Sequence, residues 1–285
     1  MLSLFLGLLF AVALSGTALA KKSVDIAYVE WDCAVASTNM VQAVLQEKMG
    51  YDVEITPVAA AAMWSAVASG DVEGMVTAWL PSTHADYMSR FKKDVEDLGP
   101  IVGGAKLGWA VPAYVDIDSI PDLKGNAAKF DGRIIGIDPG AGLMRLSEDA
   151  MEAYDLSDFE LMEGSGATMT AALQDAIKNN EPIVVTAWSP HWMFGKWDLK
   201  YLDDPKQVLG EEEFIHAIVR DDLKKDMPEV YAFLDNFKWE NPEQLQKLMA
   251  WNQEPGTTPY ENAVKFMNEN PELVNSWLPE QVASQ

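Results

Sequence analysis

In the first part of the chain, segments with the apolar pattern of a strand alternate with segments whose apolar positions have the period of a helix. Segments 24–29 and 53–58 are short and apolar-rich, which is typical of buried strands, whereas segments 33–48 and 59–69 repeat their apolar positions with the period of a helix. A third apolar run predicts a strand that ends at Trp79. This order of strands and helices is typical of a parallel, doubly wound sheet.

A second set of elements repeats this order. The sequence predicts strands and helices at 133–137, 143–154, 159–163, 168–179 and a last strand that ends at Trp188. Between the two sets, the stretch 108–115 is extended and interrupted by a proline, and we interpret it as a crossing into a second lobe. We interpret the region 204–213 as the return crossing.

The two sets predict an α/β protein with two lobes. We expect residues 21–111 and 210–285 to form the first lobe and residues 112–209 to form the second. Two lobes joined by two crossings enclose a cleft that can hinge shut around a ligand.

The first twenty residues are mostly apolar and carry no charged side chain. They end in the small residues Ala18 and Ala20 on either side of a leucine, a pattern typical of a signal-peptide cleavage site. A membrane anchor is the alternative, but the apolar run is shorter than a typical span of about 20 residues. We therefore expect residues 1–20 to be a cleaved signal peptide, and the mature chain to lie in the periplasm without inserting into the membrane.

Acidic residues outnumber basic ones, with 44 Asp and Glu against 21 Lys and Arg and a formal net charge of −23. Such an excess of carboxylates opposes binding to nucleic acid and to anionic membrane surfaces. Cys33 is the sole cysteine of the sequence, so no internal disulfide is available. We expect a soluble, monomeric mature chain.

A five-residue phrase occurs twice, each time where a predicted strand ends: TAWLP at 77–81 and TAWSP at 186–190. Trp31 also stands at a strand end. Ligands of open α/β sheets bind outside the carboxyl ends of the strands, so Trp31, Trp79 and Trp188 are candidate ligand-binding residues. A tryptophan taken alone is more often a packing residue, and we assign that role to Trp64, Trp109, Trp192, Trp197, Trp239, Trp251 and Trp277.

The segment DPGAG at 138–142 and His84 are the candidate anion-binding groups. The segment leads into a predicted helix, whose first turn offers unpaired backbone N–H groups and the positive end of the helix dipole. An ordinary strand-to-helix turn is the alternative, and the third glycine of a dinucleotide site is missing. His84 lies just beyond the first repeat, where its ring can donate to the same anion, although a lone histidine is more often a surface or capping residue. His191 occupies the matching place in the second repeat, and we assign it to packing.

Three indoles and an anion site together predict the ligand class. Indole faces attract cations, and quaternary ammonium groups are favoured because they are weakly hydrated and donate no hydrogen bond. The expected ligand is therefore a small zwitterion with a methylated cation and a carboxylate. We find no Gly-x-Ser-x-Gly motif, and the three histidines are widely scattered, so we expect no catalytic residues, no metal and no cofactor.

Several segments carry a resemblance to a known family: YVEWDCAVAST at 28–38, TAWLPSTHADY at 77–87, IIGIDPGAGLM at 134–144, TAWSPHWMF at 186–194 and KYLDDPKQV at 200–208. They resemble the glycine betaine/proline betaine substrate-binding proteins of ABC importers, the OpuAC family. The resemblance implies a two-lobed type II periplasmic-binding-protein fold with a hinged inter-lobe cleft. It also implies a membrane permease of an ABC importer as the partner.

The resemblance further implies a role for each candidate residue. Trp31, Trp79 and Trp188 form the cage around the ammonium group. The carboxylate binds to the backbone N–H groups of Gly142 and Leu143 and to the side chain of His84. The preferred ligand stays open among glycine betaine, proline betaine, carnitine, choline and dimethylsulfoniopropionate, and an enzyme acting on such compounds is the least favoured alternative.

Overall fold

The computed structural model describes residues 22–283, so the signal peptide expected at residues 1–20 lies outside the described residues. The strands are β1 (Ser23–Tyr28), β2 (Asp52–Pro57), β3 (Gly74–Leu80), β4 (Val95–Pro112), β5 (Arg133–Ile135), β6 (Glu160–Met162), β7 (Val185–Ser189), β8 (Leu199–Tyr201) and β9 (Glu213–Arg220). The α-helices are α1 (Asp32–Glu47), α2 (Ala60–Ser69), α3 (Ala85–Phe91), α4 (Gly142–Ala153), α5 (Gly166–Asn179), α6 (Met193–Lys196), α7 (Leu223–Asp226), α8 (Pro228–Asn236), α9 (Pro242–Trp251), α10 (Pro259–Glu269), α11 (Pro271–Trp277) and α12 (Glu280–Ala283). No helix between residues 22 and 283 combines the length and the apolar character that a bilayer span requires.

The first lobe is built on a mixed sheet with the strand order β2-β1-β3-β9-β4. β1 pairs in parallel with β2 and with β3, as the sequence predicted, whereas β9 runs antiparallel to both of its neighbours. Every residue of β3 is buried. A strand that is covered on both faces reads as a continuous apolar run, which explains why the pattern before Trp79 does not alternate.

The second lobe has its own sheet, in which β4, β7, β5 and β6 follow one another and β8 lies along β4. β5 pairs in parallel with β6 and β7. Trp109 of β4 is fully buried here and donates from Nε1 to Ser147 Oγ of α4 at 2.9 Å, which satisfies its one polar atom. The two-lobed α/β architecture expected from the sequence is thereby confirmed.

A single long strand, β4, belongs to both lobes. Its first part, up to Ala105, pairs with β9 of the first lobe, and from Lys106 onward it pairs with β7 of the second lobe. The chain returns between β8, which ends at Tyr201, and β9, which begins at Glu213. The lobe boundaries at 111 and 112 and at 209 and 210 stay a prediction, and the pairing places the first crossing somewhat earlier along β4.

The sequence predicted only the end of β4, because its first half does not have the pattern of a strand. Gly99, Pro100, Gly103 and Gly104 interrupt the apolar positions, and the register with β9 shifts at three places between Asp97 and Ala105. Such irregularities bend a strand and increase its twist. They allow one strand to leave the first sheet and enter the second.

The helices that follow β9 cover the first lobe. α9 and α10 lie against α1, and Trp239, between α8 and α9, donates from Nε1 to Ser37 Oγ of α1 at 3.2 Å. Trp277 at the end of α11 is buried, packs edge-on against Phe237 with 4.8 Å between ring centroids, and donates to Lys238 O at 2.8 Å. Both indoles are packing residues, as the sequence predicted.

We expect Trp277→Ala to lower the free energy of unfolding by roughly 3–5 kcal/mol, because it leaves a large cavity between α8 and α11. Trp277→Phe keeps most of the buried area and loses the hydrogen bond and the smaller part of the indole, so its loss of stability should be clearly smaller. Urea unfolding of the two variants and the parent checks this ranking. Equal losses for the two variants would show that the ring does not carry the packing energy.

Candidate functional site

The ends of β1, β3 and β7 meet at one cavity between the lobes. It leaves about 300 Å³ of empty space, part of it open to solvent. Its lining consists of Trp31, Cys33, Trp79, Thr83, His84, Leu107, Ile137, Ala141, Gly142, Leu143 and Trp188. All six residues that the sequence singled out therefore lie on the same cavity, and their roles in binding stay a prediction.

The strand or helix that carries each of the three tryptophans fixes the position of its indole ring. Trp31 directly precedes α1, Trp79 is held in β3 opposite Ile215 of β9, and Trp188 is held in β7 opposite Leu107 of β4. Each of the three tryptophans is at least nine-tenths buried. Because two of the rings stand on strands and the third on a helix start, the cavity has rigid aromatic walls contributed by both lobes.

The Trp31 ring is held from the opposite lobe. Its Nε1 donates to both carboxylate oxygens of Asp138, at 2.8 and 3.2 Å, and Asp138 belongs to the loop between β5 and α4. Burial raises the pKa of Asp138 above its usual value, and the hydrogen bond from Trp31 partly opposes this. Asp138 stands in the loop that the sequence singled out for its backbone N–H groups, and its carboxylate holds the Trp31 ring.

Trp188 is supported from behind by His191. The two rings meet edge to face with 4.4 Å between centroids, and His191 Nδ1 accepts from the Met193 N–H at 3.2 Å. His191 Nε2 lies 3.2 Å from Asp32 Oδ2 of the first lobe. His191 thus packs against the cage and contacts the opposite lobe, and it does not line the cavity.

His84 presents a single, defined donor to the cavity. The ring is fully buried, and its Nδ1 accepts from the Trp79 N–H at 2.9 Å, so the proton of the neutral ring is on Nε2. Burial lowers the pKa of His84 to about 3, with a smaller contribution from the Arg145 guanidinium. Nε2 has no hydrogen-bond partner among the described residues. A buried N–H without a partner is costly, so this atom is a candidate donor to a ligand acceptor.

Aromatic neighbours hold the His84 ring in place. Trp31 stacks on it with 5.7 Å between centroids, and Trp64 meets it edge-on at 6.0 Å. Trp64 is fully buried and lies behind the cavity, so the packing role assigned from the sequence agrees with its position.

The first turn of α4 faces His84 across the cleft. Gly142 and Leu143 are its first two residues, and the N–H groups of a first helical turn have no partner within the helix. A Cβ atom on Gly142 would lie 2.6 Å from Thr83 Cγ2 and closer still to the Thr83 carbonyl oxygen. Only glycine permits the loop before His84 to approach the helix so closely.

Other lining residues were not among the six candidates: Cys33, Thr83, Leu107, Ile137 and Ala141, of which Ala141 lies in the predicted anion-binding segment 138–142. Most of them lie within a few positions of a predicted site residue in the sequence, so this adjacency could have identified them. Leu107 lies on β4, far along the chain from every predicted site residue, so the sequence did not indicate it. Burial raises the pKa of the Cys33 thiol to about 12, so this lining group is neutral.

Gly142→Ala should prevent full closure of the cleft, because the added methyl group meets Thr83 of the opposite lobe. Overpacking of this kind costs about 1–3 kcal/mol, which corresponds to roughly 5- to 150-fold weaker binding of a betaine-type ligand. Gly140→Ala in the same loop is the matched control, because its Cβ meets no atom within 4 Å. Small-angle scattering should show a smaller radius of gyration on ligand addition for the parent and Gly140→Ala, but not for Gly142→Ala. Equal compaction of both variants would contradict the proposed contact.

Asp138 should strengthen binding through the orientation of Trp31. Asp138→Ala removes a charged hydrogen-bond acceptor, and we expect roughly tenfold weaker binding of glycine betaine. Asp138→Asn keeps one acceptor oxygen and should lose less. Calorimetry on both variants, repeated with Trp31→Phe in the background, separates this contact from other effects. Since phenylalanine has no N–H, Asp138→Ala should add no further loss there.

Residues 22–269 match the family described as the substrate-binding domain of ABC-type glycine betaine transport systems, OpuAC. A curated relative, the glycine betaine/carnitine transport binding protein GbuC of Listeria monocytogenes, is 47% identical over 146 residues. That alignment covers 50% of this chain and 48% of the relative, so it spans about half the length of each.

Two solved structures are similar over nearly the whole chain. Lactococcal OpuAC, in its closed-liganded conformation complexed with glycine betaine, is 44% identical with a TM-score of 0.86, covering 91% of this chain and 100% of that one. The glycine/betaine/L-proline-binding protein ProX from Borrelia burgdorferi is 42% identical with a TM-score of 0.88, covering 92% of this chain and 99% of that one. Since the family match runs over residues 22–269, the chain belongs to the OpuAC family of substrate-binding domains of ABC-type glycine betaine transport systems.

Proposed function

We propose that this protein captures glycine betaine, or a closely related methylated zwitterion with a carboxylate, and delivers it to the membrane permease of an ABC importer. The observation that carries the proposal is the pairing of two opposite chemistries in one cavity. Three indole rings line the cavity together with the unpartnered His84 Nε2–H and the first turn of α4.

The indoles fit a cation that cannot donate hydrogen bonds. Trp31, Trp79 and Trp188 line the cavity, and a desolvated cation over an indole face gains roughly 2 kcal/mol or more. None of the lining residues in the described structure is a carboxylate, so a cation that demands charged hydrogen bonds finds no partner there. The Asp138 carboxylate lies behind Trp31 instead, where its charge makes the indole more electron-rich and strengthens the attraction.

The opposite end fits a carboxylate. His84 Nε2–H and the N–H groups of Gly142 and Leu143 are neutral donors, which bind an anion without adding a charge that would repel the ammonium group. Because the pKa of His84 is about 3, this donor keeps its neutral form throughout the physiological pH range. The His84 ring therefore favours a ligand with a carboxylate over choline, which has none.

Each end of the cavity takes residues from both lobes, so we infer that ligand binding closes the cleft. Trp31, Trp79 and His84 lie in the first lobe, whereas Gly142, Leu143 and Trp188 lie in the second. The Trp31–Asp138 hydrogen bond already joins the lobes, and similarity to a closed, liganded relative supports a closed arrangement. A ligand that touches both lobes stabilises that form by its difference in affinity for the two states. We propose the closed form as the one that the permease recognises in the periplasm.

The two ends of the cavity restrict the ligand class, because the indoles fit a methylated cation and the N–H donors fit a carboxylate. Carnitine is the main alternative, since the curated relative is named for glycine betaine and carnitine.

We propose simple binding and release for this chain, with the ligand recovered unchanged. Proton NMR of glycine betaine after prolonged incubation with the protein checks this, and any new resonance would point to an enzyme.

Calorimetry with glycine betaine, proline betaine, carnitine, dimethylsulfoniopropionate and choline tests the proposed function. We expect the parent to bind glycine betaine most tightly of the five. Trp188→Ala should weaken binding of every ligand by at least ~0.5–2 kcal/mol, and Trp188→Phe by less. His84→Ala should weaken binding of the carboxylate ligands more than binding of choline. A parent that binds none of the five would overturn the proposal, and equal losses for betaine and choline in His84→Ala would remove His84 from the carboxylate site.

A further inference from the structure

One buried carboxylate has no role in the cavity itself. Glu213 is 1% exposed, and the described residues include no cation paired with it. It accepts from the Ser82 N–H at 2.5 Å, from the Thr83 N–H at 2.8 Å and from the Thr83 hydroxyl. Burying an unpaired charge is expensive unless hydrogen bonds satisfy it. These three donors therefore stabilise the carboxylate, and the carboxylate in turn fixes the backbone of Ser82 and Thr83.

The segment that Glu213 holds is the one that presents the anion-binding donor. His84 follows Thr83 directly, and its N–H donates to the Trp79 carbonyl oxygen at 2.9 Å while its Nδ1 accepts from the Trp79 N–H. The turn between β3 and α3 is thus fixed by Trp79 on the side of His84 and by Glu213 on the side of Thr83. Thr83 also contacts Gly142 across the cleft.

Glu213 also marks the place where the chain returns to the first lobe. It is the first residue of β9 and lies opposite Ala105, just before β4 changes partner at Lys106. The returning segment also lies against the same turn, because a Cβ atom on Gly210 would lie 3.7 Å from Ser82 Cβ. One side chain thereby connects the crossing between the lobes to the turn that faces the ligand.

We propose that Glu213 is a positioning residue that sets the preference for ligands with a carboxylate. It holds the turn at 82–84 so that His84 Nε2 is aimed into the cavity and Thr83 meets Gly142 when the lobes close. The inference rests on the proposed function for its ligand, but the hydrogen bonds to Ser82 and Thr83 can be tested without any ligand.

Glu213→Gln tests the proposal. Glutamine is neutral, so its amide oxygen accepts from the Ser82 and Thr83 N–H groups more weakly than a carboxylate does, and the hydrogen bond with the Thr83 hydroxyl can form only with the NH2 group as donor. Glu212→Gln is the matched control, because Glu212 is the adjacent, exposed glutamate. We expect Glu213→Gln to bind glycine betaine roughly tenfold or more weakly. Choline binding should change by less than about threefold, and Glu212→Gln should behave as the parent for both ligands.

A double variant separates positioning from a general loss of structure. If Glu213 acts through His84, then Glu213→Gln should weaken glycine betaine binding little further in a His84→Ala background. Fully additive losses, or equal losses for glycine betaine and choline in the single variant, would overturn the proposal.

Hydrogen–deuterium exchange without ligand gives a second, independent measurement. The amides of Ser82 and Thr83 should exchange at least roughly tenfold faster in Glu213→Gln than in the parent or in Glu212→Gln. Unchanged exchange would overturn the proposal even if betaine binding fell. A parent that bound no betaine would contradict the proposed function alone, because the exchange rates would still decide the role of Glu213.

If Glu213→Gln does not fold, Thr83→Val removes only the hydroxyl donor and keeps the backbone. It should show the same selective loss for glycine betaine, smaller than that expected of Glu213→Gln, and faster exchange of the same amides. Parent-like affinity and exchange in Thr83→Val would contradict the proposed coupling.

Discussion

The contact between Thr83 and Gly142 is the constraint on which the cavity depends. At this point the two lobes approach so closely that a single methyl group would not fit between them. The contact brings the turn that carries His84 next to the first turn of α4. Donors from two separate sheets thereby converge on one small volume, which neither lobe provides alone.

In the proposed function, the site uses neutral groups to recognise a ligand with two charges. His84 stays neutral because burial of the ring, and to a smaller extent the Arg145 guanidinium, lowers its pKa to about 3, and its Nδ1 already accepts from the Trp79 N–H. The indoles attract a cation through their ring faces, and the Asp138 carboxylate acts through Trp31 rather than by direct contact with the cavity. Selection by weak, neutral groups favours a permanently charged, weakly hydrated cation, because such a cation loses little when it leaves water.

β4, the strand that joins the lobes, is paired in both sheets but has an irregular backbone in its first half. Each half of β4 is paired in its own sheet, while the register shifts and glycines before Ala105 interrupt the ladder with β9. Trp188 stands in a regular ladder between β7 and β4, whereas the ladder between β3 and β9 has a register shift between Met75 and Ala78, directly before Trp79. In the closure proposed above, the regular ladders would keep the geometry within each lobe while the irregular part of β4 allows the lobes to move as units.

The sequence by itself determined the elements and residues whose signals are local. The repeated TAW phrase, the Gly-rich loop before a helix and the apolar runs of β1, β3 and β7 depend on periodicity and turn chemistry, which neighbouring residues encode. Only the tertiary structure decided which atoms face one another. It directed the Asp138 carboxylate to Trp31, added Leu107 to the cavity, and connected Glu213 to Ser82 and Thr83. These contacts join residues far apart in the chain, so no local pattern specifies them, and they arise only when two sheets and their crossings pack together.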